Sequence, residues 1–270
     1  MIHSENIFTS SKKKRICCPM FKHDLIFYSN QIVSRYDMLV VLEVVDANGS
    51  AVKKFLEELN KANKEHRYTM QVSPRLGRDT YKEQYLFLYR ENMVELVGSW
   101  QYEDKQPGDE DAFAREPFIL RFKCLYTVLE DLVMIPVHTK PEDSVKELDE
   151  LYDVFLEVKK KWKTDNVMFL GDFNADGSYV SAKRMKTIRI RSDKHFHWLI
   201  ADDVDTTANN SNDNTYDRIV VYGDDMLDAV VPNSAKPFNF QNAYGLNDTD
   251  TLKVSDHYPV EVVLKNKPTK

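Results

Sequence analysis

Three cysteines in 270 residues, Cys17, Cys18 and Cys124, are too few to build a disulfide framework, and two of them are adjacent in a basic, polar stretch. A small disulfide scaffold is excluded, and the usage suits a reducing compartment. Also missing is any apolar run approaching the roughly 18 residues of a membrane span. The opening residues, MIHSENIFTSSKKKRICC, contain no apolar stretch like the core of a secretory signal. The expectation is a soluble protein with no membrane association, working in the cytoplasm or nucleus. Secretion is the alternative if the natural start differs. An excess of positive charge is lacking too. The 37 basic residues against 43 acidic ones give a formal net charge of −6, so any grip on nucleic acid must be local rather than through bulk charge.

No internal repeat, low-complexity tract or linker rich in Pro, Gly or Ser divides the chain. A single domain is expected over residues 21–266, behind an atypical, poorly ordered segment at 1–20 that shows no helical or strand period. That segment carries Lys12-Lys13-Lys14-Arg15, which reads either as a solvated basic terminus or as a nuclear address. Asn48, Asn209 and Asn247 head Asn-X-Ser/Thr triplets, a pattern that arises often by chance.

What is present is core material: 42% of residues are hydrophobic and 11% aromatic, enough to bury a sizeable interior. Apolar runs start at Met38, Tyr85, Phe118, Leu132, Val167, Arg218 and Tyr258, with the length and β-branched content of buried strands. Val145, Leu148, Leu151, Phe155, Val158 and Trp162 recur at spacings of three and four, which predicts an amphipathic helix with Lys159, Lys160 and Lys161 near its C-terminal end. Val52, Phe55 and Leu59 predict a second helix over 51–64. Many strands with few helices give an α/β class, two sheets packed face to face with helices outside.

Charged or imidazole groups stand at the ends of these runs. Glu43 ends LVVLE, His138 ends LVMIPVH and Asp172 follows VMFLG. Such charges are costly unless paired or metal-bound, and ligand clefts in sheet proteins lie at strand ends. The segment Gly171-Asp172-Phe173-Asn174-Ala175-Asp176-Gly177 begins like a helix-loop-helix calcium loop. It fails that reading, because Lys183 stands where a bidentate Glu is needed and a strand precedes it. Asp172 and Asn174 suit instead a carboxylate near a metal or nucleophile and an amide donor to a phosphoryl oxygen. Ser255-Asp256-His257-Tyr258-Pro259 sets an acid beside an imidazole before the last strand, where a loop lets both face one substrate. Two histidines with carboxylate partners are what phosphodiester hydrolysis requires, a base for the water and an acid for the leaving alkoxide.

Residues 81–90 (YKEQYLFLYR), Ala114-Arg115-Glu116-Pro117, 171–176, Tyr216-Asp217-Arg218-Ile219-Val220-Val221 and 255–262 (SDHYPVEV) resemble the deoxyribonuclease I family. The similarity runs in order from about Gln31 to Leu264 and is closest to the cysteine-poor deoxyribonuclease-1-like branch. The resemblance implies a four-layer sandwich of two mixed sheets with helices outside and a cleft at one edge. It implies His138 with Glu83 as general acid and His257 with Asp217 as general base or as the group that orients the attacking water, and Glu43 holding Mg2+ (or Mn2+) with help from Asp172 and Asp256. It further implies Arg115 and Asn174 on the phosphate, and Tyr81, Tyr179 and Tyr216 along the DNA backbone and minor groove. A structural Ca2+ site falls on Asp104, Asp111, Phe113 and Glu116, and a second, weaker one on Asp205 and Thr207.

Departures are also legible. Gly177 and Asn214 stand where the family has disulfide cysteines, and Val45 stands where it often has a groove-entering Arg. No opening strand with its metal-binding Asn is recognisable, since Asn6 lacks a strand-like run before it. The expected activity is that of a monomeric, metal-dependent endonuclease that cuts DNA with little sequence preference and leaves 5′-phosphate ends. It is weakened to the extent that the opening strand is missing. The alternatives are an inactive DNA-binding or regulatory relative and a phosphatase or phosphodiesterase of the same superfamily.

Overall fold

The structure, a computed structural model, describes residues 2–3, 19–105, 111–209 and 212–268. The first half of the chain builds a four-stranded sheet from β1 (Ile2–His3), β2 (Met38–Val44), β3 (Tyr68–Val72) and β4 (Gln84–Arg90), in the order β1-β2-β4-β3. Its helices are α1 (Pro19–Val33) and α2 (Ser50–Ala62). The second half builds a six-stranded sheet from β5 (Val94–Gln101), β6 (Phe118–Cys124), β7 (Asp131–His138), β8 (Val167–Asp172), β9 (Phe196–Trp198) and β10 (Asp217–Tyr222), in the order β5-β6-β7-β8-β10-β9. Helix α3 (Ser144–Trp162) is the crossover between the parallel strands β7 and β8. Short helices α4 (Ala182–Met185), α5 (Arg189–Ser192), α6 (Asp224–Ala229), α7 (Phe240–Tyr244) and α8 (Asp248–Val254), with the small ribbon of β11 (Lys236–Pro237) and β12 (Val260–Glu261), complete it.

The period-two alternation of strands explains the layering. In β2, Val40 and Leu42 face Phe122, Leu132, Met134 and Met168 of the other sheet, whereas Leu39 and Val41 face Ile32, Val52, Phe55 and Leu59 of α1 and α2. In β7, Met134 points inward while Val133, Ile135 and Val137 pack on Leu148, Leu151, Phe155 and Val158 of α3. Each sheet is therefore covered on both faces, which is why its strands read as continuous apolar runs. Each fully buried Leu or Val adds roughly 1.5–3 kcal/mol. The result is the four-layer α/β sandwich.

Strands β3, β5 and β9 and helix α1 lie outside the apolar runs named from sequence. Past the buried Val94, strand β5 alternates exposed and half-buried positions at a sheet edge, so it carries no continuous run. Helix α1 leaves Phe27 53% exposed, which blurs its apolar stripe. Of the segment at 1–20, Ile2–His3 runs parallel beside β2 opposite Val41 and Leu42, and Pro19 opens α1. Residues 4–18, with Asn6 and the Lys12–Arg15 run, lie outside the described residues.

Topology brings the strand-end charges to one edge. Parallel β7 and β8 end together with His138 opposite Asp172, and antiparallel β10 starts there with Asp217 opposite the same Asp172. In the facing sheet, β2 ends just past Glu43, and antiparallel β4 begins just after Glu83.

Candidate active site

Glu43 sits in a register shift between Val41 and Val44 with φ of 57°, a left-handed conformation costing about 1–3 kcal/mol in a non-glycine residue. A bulge of this kind re-aims a side chain at a sheet rim. Here Glu43 Oε1 comes 3.5 Å from His138 Nε2, and Asp172 Oδ2 lies 3.9 Å from the same nitrogen. The other ring nitrogen, Nδ1, bonds Glu83 Oε1 at 2.5 Å. Glu83 is 3% exposed, and its second oxygen is buried without a hydrogen-bond partner. With Nδ1 committed to a carboxylate, the ring is oriented and Nε2 is turned toward the two other acids.

Arg115 belongs to this group. Its Nε meets Glu83 Oε1 at 2.5 Å and its Nη1 donates to the His138 carbonyl at 3.2 Å. One buried oxygen of Glu83 thus serves both a guanidinium and an imidazole. Asn174, at φ 46°, donates its backbone N–H to Asp172 Oδ1 at 2.8 Å and its side-chain amide to the Thr139 carbonyl at 3.0 Å. Asp172 is thereby held rigidly between the ends of β7 and β10.

On the other side of Asp172 stands the second imidazole. His257 Nδ1 bonds Asp217 Oδ2 at 2.6 Å, and Asp217 is 0% exposed. Thr206 Oγ1 accepts the Asp217 N–H at 3.1 Å, and an isolated bridge between Thr207 and His257 fixes the loop. Tyr216 lies beside His257 at 6.1 Å between ring centroids and beside Tyr179 at 5.4 Å. Tyr179 and Tyr81 are exposed, the latter on the loop leading to Glu83. Asp256 is exposed, and its carbonyl accepts from the Ala208 N–H at 2.7 Å.

The positions without cysteines face each other. A Cβ on Gly177 would stand 2.5 Å from Asn214 Oδ1. Asp176 ties the two loops instead, accepting from the Gly177 and Thr215 N–H groups at 2.7 Å each.

Glu43 and Asp172 offer only carboxylate oxygens, the donor type of a hard divalent ion. Among the described residues no three His, Cys, Asp or Glu side chains form a group that would enclose a metal, so an ion here would complete its shell with water or substrate oxygens. In the acidic loop, Asp104 Oδ2 accepts the Phe113 N–H at 3.0 Å, while Oδ1 is buried without a partner, a site open to a cation. Asp111 is bound to Arg78 at 3.2 Å, and Glu116 is half-buried with its carbonyl taken by Gln101 at 3.1 Å. Asp205 Oδ1 accepts from both the N–H and the hydroxyl of Thr207, at 2.9 and 2.7 Å.

Three buried acids, Asp46, Glu147 and Glu150, do not stand out in the sequence. Glu147 is 1% exposed, and burial pushes its carboxyl up to about 7. The signal for Glu147 is its phase, since it precedes the buried Leu151, Val154 and Val158 by helical spacings.

The family model described as the endonuclease/exonuclease/phosphatase family matches residues 28–257. Deoxyribonuclease gamma of Rattus norvegicus is 44% identical over 260 residues, 96% of this chain and 82% of that protein. Deoxyribonuclease-1 of Oryctolagus cuniculus is 49% identical over 242 residues, 89% of this chain and 85% of that protein. Among solved structures, the human Nocturnin catalytic domain superposes with a TM-score of 0.58 at 15% identity, covering 96% of this chain and 92% of that one. A conserved protein of Enterococcus faecalis reaches 0.61 at 15% identity over 97% and 98%.

Proposed function

The chain belongs to the endonuclease/exonuclease/phosphatase family, and from that premise we propose that it is a deoxyribonuclease, a phosphodiester hydrolase that cuts DNA internally with little sequence preference. The observation that carries this reading is the pair of imidazoles, each anchored through Nδ1 to a buried carboxylate, on either side of Asp172.

The chemistry divides between them. His257, oriented by Asp217, takes a proton from the attacking water through Nε2 as the water oxygen bonds to phosphorus. His138, oriented by Glu83, gives its Nε2 proton to the departing 3′ oxygen as the P–O3′ bond breaks, leaving a 5′-phosphate and a 3′-hydroxyl. Arg115 and the Asn174 amide would stabilise the charge that a phosphoryl oxygen gains. Tyr179 and Tyr216 form an aromatic ledge beside His257, and Tyr81 is exposed near Glu83, so DNA contact is through the backbone and minor groove.

Glu43 and Asp172 would hold Mg2+ or Mn2+, with Asp256 contributing from the rim. When bound, the ion supplies charge stabilisation at the phosphoryl oxygens. Asp104, Asp111, Phe113 and Glu116 would hold a structural Ca2+, once Arg78 yields Asp111. A free buried Cys124 and the absence of cysteines at 177 and 214 support work in a reducing compartment. Among the described residues no helix is long and apolar enough to cross a membrane.

Plasmid nicking under Mg2+ and Ca2+ titration, run beside hydrolysis of inositol phosphates, tests the proposal. Nicking that depends on added Mg2+ is expected. Turnover of inositol phosphates with intact plasmid would overturn it.

A further inference from the structure

Beneath the cleft floor lies an enclosed polar layer that the chemistry above does not use. Glu147, Ser144 and Thr139 are each 1% exposed. A buried carboxylate is costly unless its oxygens are hydrogen-bonded. Glu147 Oε1 accepts from the Lys140 N–H at 3.0 Å. Lys140 is two residues after His138. One buried side chain therefore holds the backbone just past His138.

The neighbouring bonds complete the floor. Thr139 Oγ1 donates to the Phe173 carbonyl at 2.8 Å and lies 3.0 Å from Ser144 Oγ. The Thr139 N–H donates to the Asp172 carbonyl at 3.1 Å. An apolar residue in phase with Leu151 and Val158 would pack here without that desolvation cost. Local rules broken at a cost mark functional places in a fold.

We infer that Glu147 is a positioning residue for the proposed reaction, holding the Lys140 N–H so that the end of β7 keeps His138 in place against Glu83. This rests on reading the site as a DNA-hydrolysing one. His138 delivers its proton only in the transition state, so its displacement lowers kcat more than it raises KM. Supporting partners of this kind are worth about 10- to 100-fold.

The test uses full-length Glu147→Leu and Glu147→Gln, assayed for plasmid nicking near neutral pH well below their melting temperatures. Leu removes the acceptor. Gln keeps an oxygen for Lys140. Glu147→Leu is expected to lose about 10-fold or more in kcat with a smaller change in KM, and Glu147→Gln to recover a large part of that loss. In parallel, the His138 ring 15N resonances, assigned by their loss in His138→Asn, should shift in Glu147→Leu. That signal reads positioning even if the wild type proves not to cut DNA, which would sink the proposed function instead. A folded Glu147→Leu with kcat within about two-fold of wild type, a Glu147→Gln no better than Leu, or an unmoved His138 resonance would overturn the inference.

Discussion

Each imidazole in the cleft has one nitrogen committed to a carboxylate, so neither ring acts alone. If His138 and His257 divide acid and base work, His138→Ala and His257→Ala should each lower nicking by about 10²- to 10⁴-fold. The double variant should be little worse than either single, because groups that act as a unit are not additive. Additive losses in steady-state nicking would separate the two roles. Glu147 gives a second test. Its carboxyl titrates near 7 in the fold against an ordinary 4.5, so between those values the folded chain keeps a proton that the unfolded chain has lost. Its stabilising contribution is complete below about pH 4.5 and is lost as pH rises through about 7, on the order of 3 kcal/mol in all. The stability advantage of wild type over Glu147→Gln should therefore shrink between about pH 5 and about pH 8 in urea titrations. A difference that stays constant with pH would contradict the raised value.

At the scale of elements, the parallel pairing of β7 with β8 is what sets His138 beside Asp172, and one glycine permits it. Gly171 has φ of 155°, and a Cβ there would lie 1.8 Å from the Val137 carbonyl oxygen. No side chain can give way, because the clash is with backbone. Gly171→Ala should cost about 3 kcal/mol or more, or prevent folding, and should abolish nicking with it. A soluble Ala variant with wild-type urea midpoint would show that the strands tolerate separation. The acidic loop between β5 and β6 gives a prediction of opposite sign. An ion that binds only the folded chain stabilises it by mass action, about 2.7 kcal/mol at a hundredfold excess over Kd. Adding Ca2+ should raise the melting temperature, and Asp104→Asn should erase most of that rise. A melting temperature indifferent to Ca2+ would leave Asp104 Oδ1 as an unfilled acceptor.

The whole molecule is acidic, with 37 basic and 43 acidic residues, so it has no general field to hold a polyanion. Binding to DNA should rest on a few local contacts, giving a log Kd against log salt slope of about three to five rather than ten. A slope near ten would reveal a basic surface that net charge conceals. How much of this was legible beforehand follows from what is local. Helix α3 was readable from Val145 to Trp162, and the buried strands from their apolar runs, because burial on one stripe or two faces writes its period directly into the chain. Edge strand β5 and the blurred helix α1 were not, since half-exposed elements carry mixed residues. Glu43, His138 and Asp172 stood out by position at strand ends, and the resemblance supplied partners for the histidines. The geometry that joins them is tertiary: Glu83 and His138 are 55 residues apart, and Asp217 and His257 are 40 apart. The sharing of one Glu83 oxygen by Arg115 and His138, the hold of Arg78 on Asp111 and the bond from the Lys140 N–H to Glu147 were likewise decided only by packing. Local patterning determines which faces are buried, but which charges meet at the rim depends on strand register and crossover geometry, and those are fixed by contacts between segments distant in sequence.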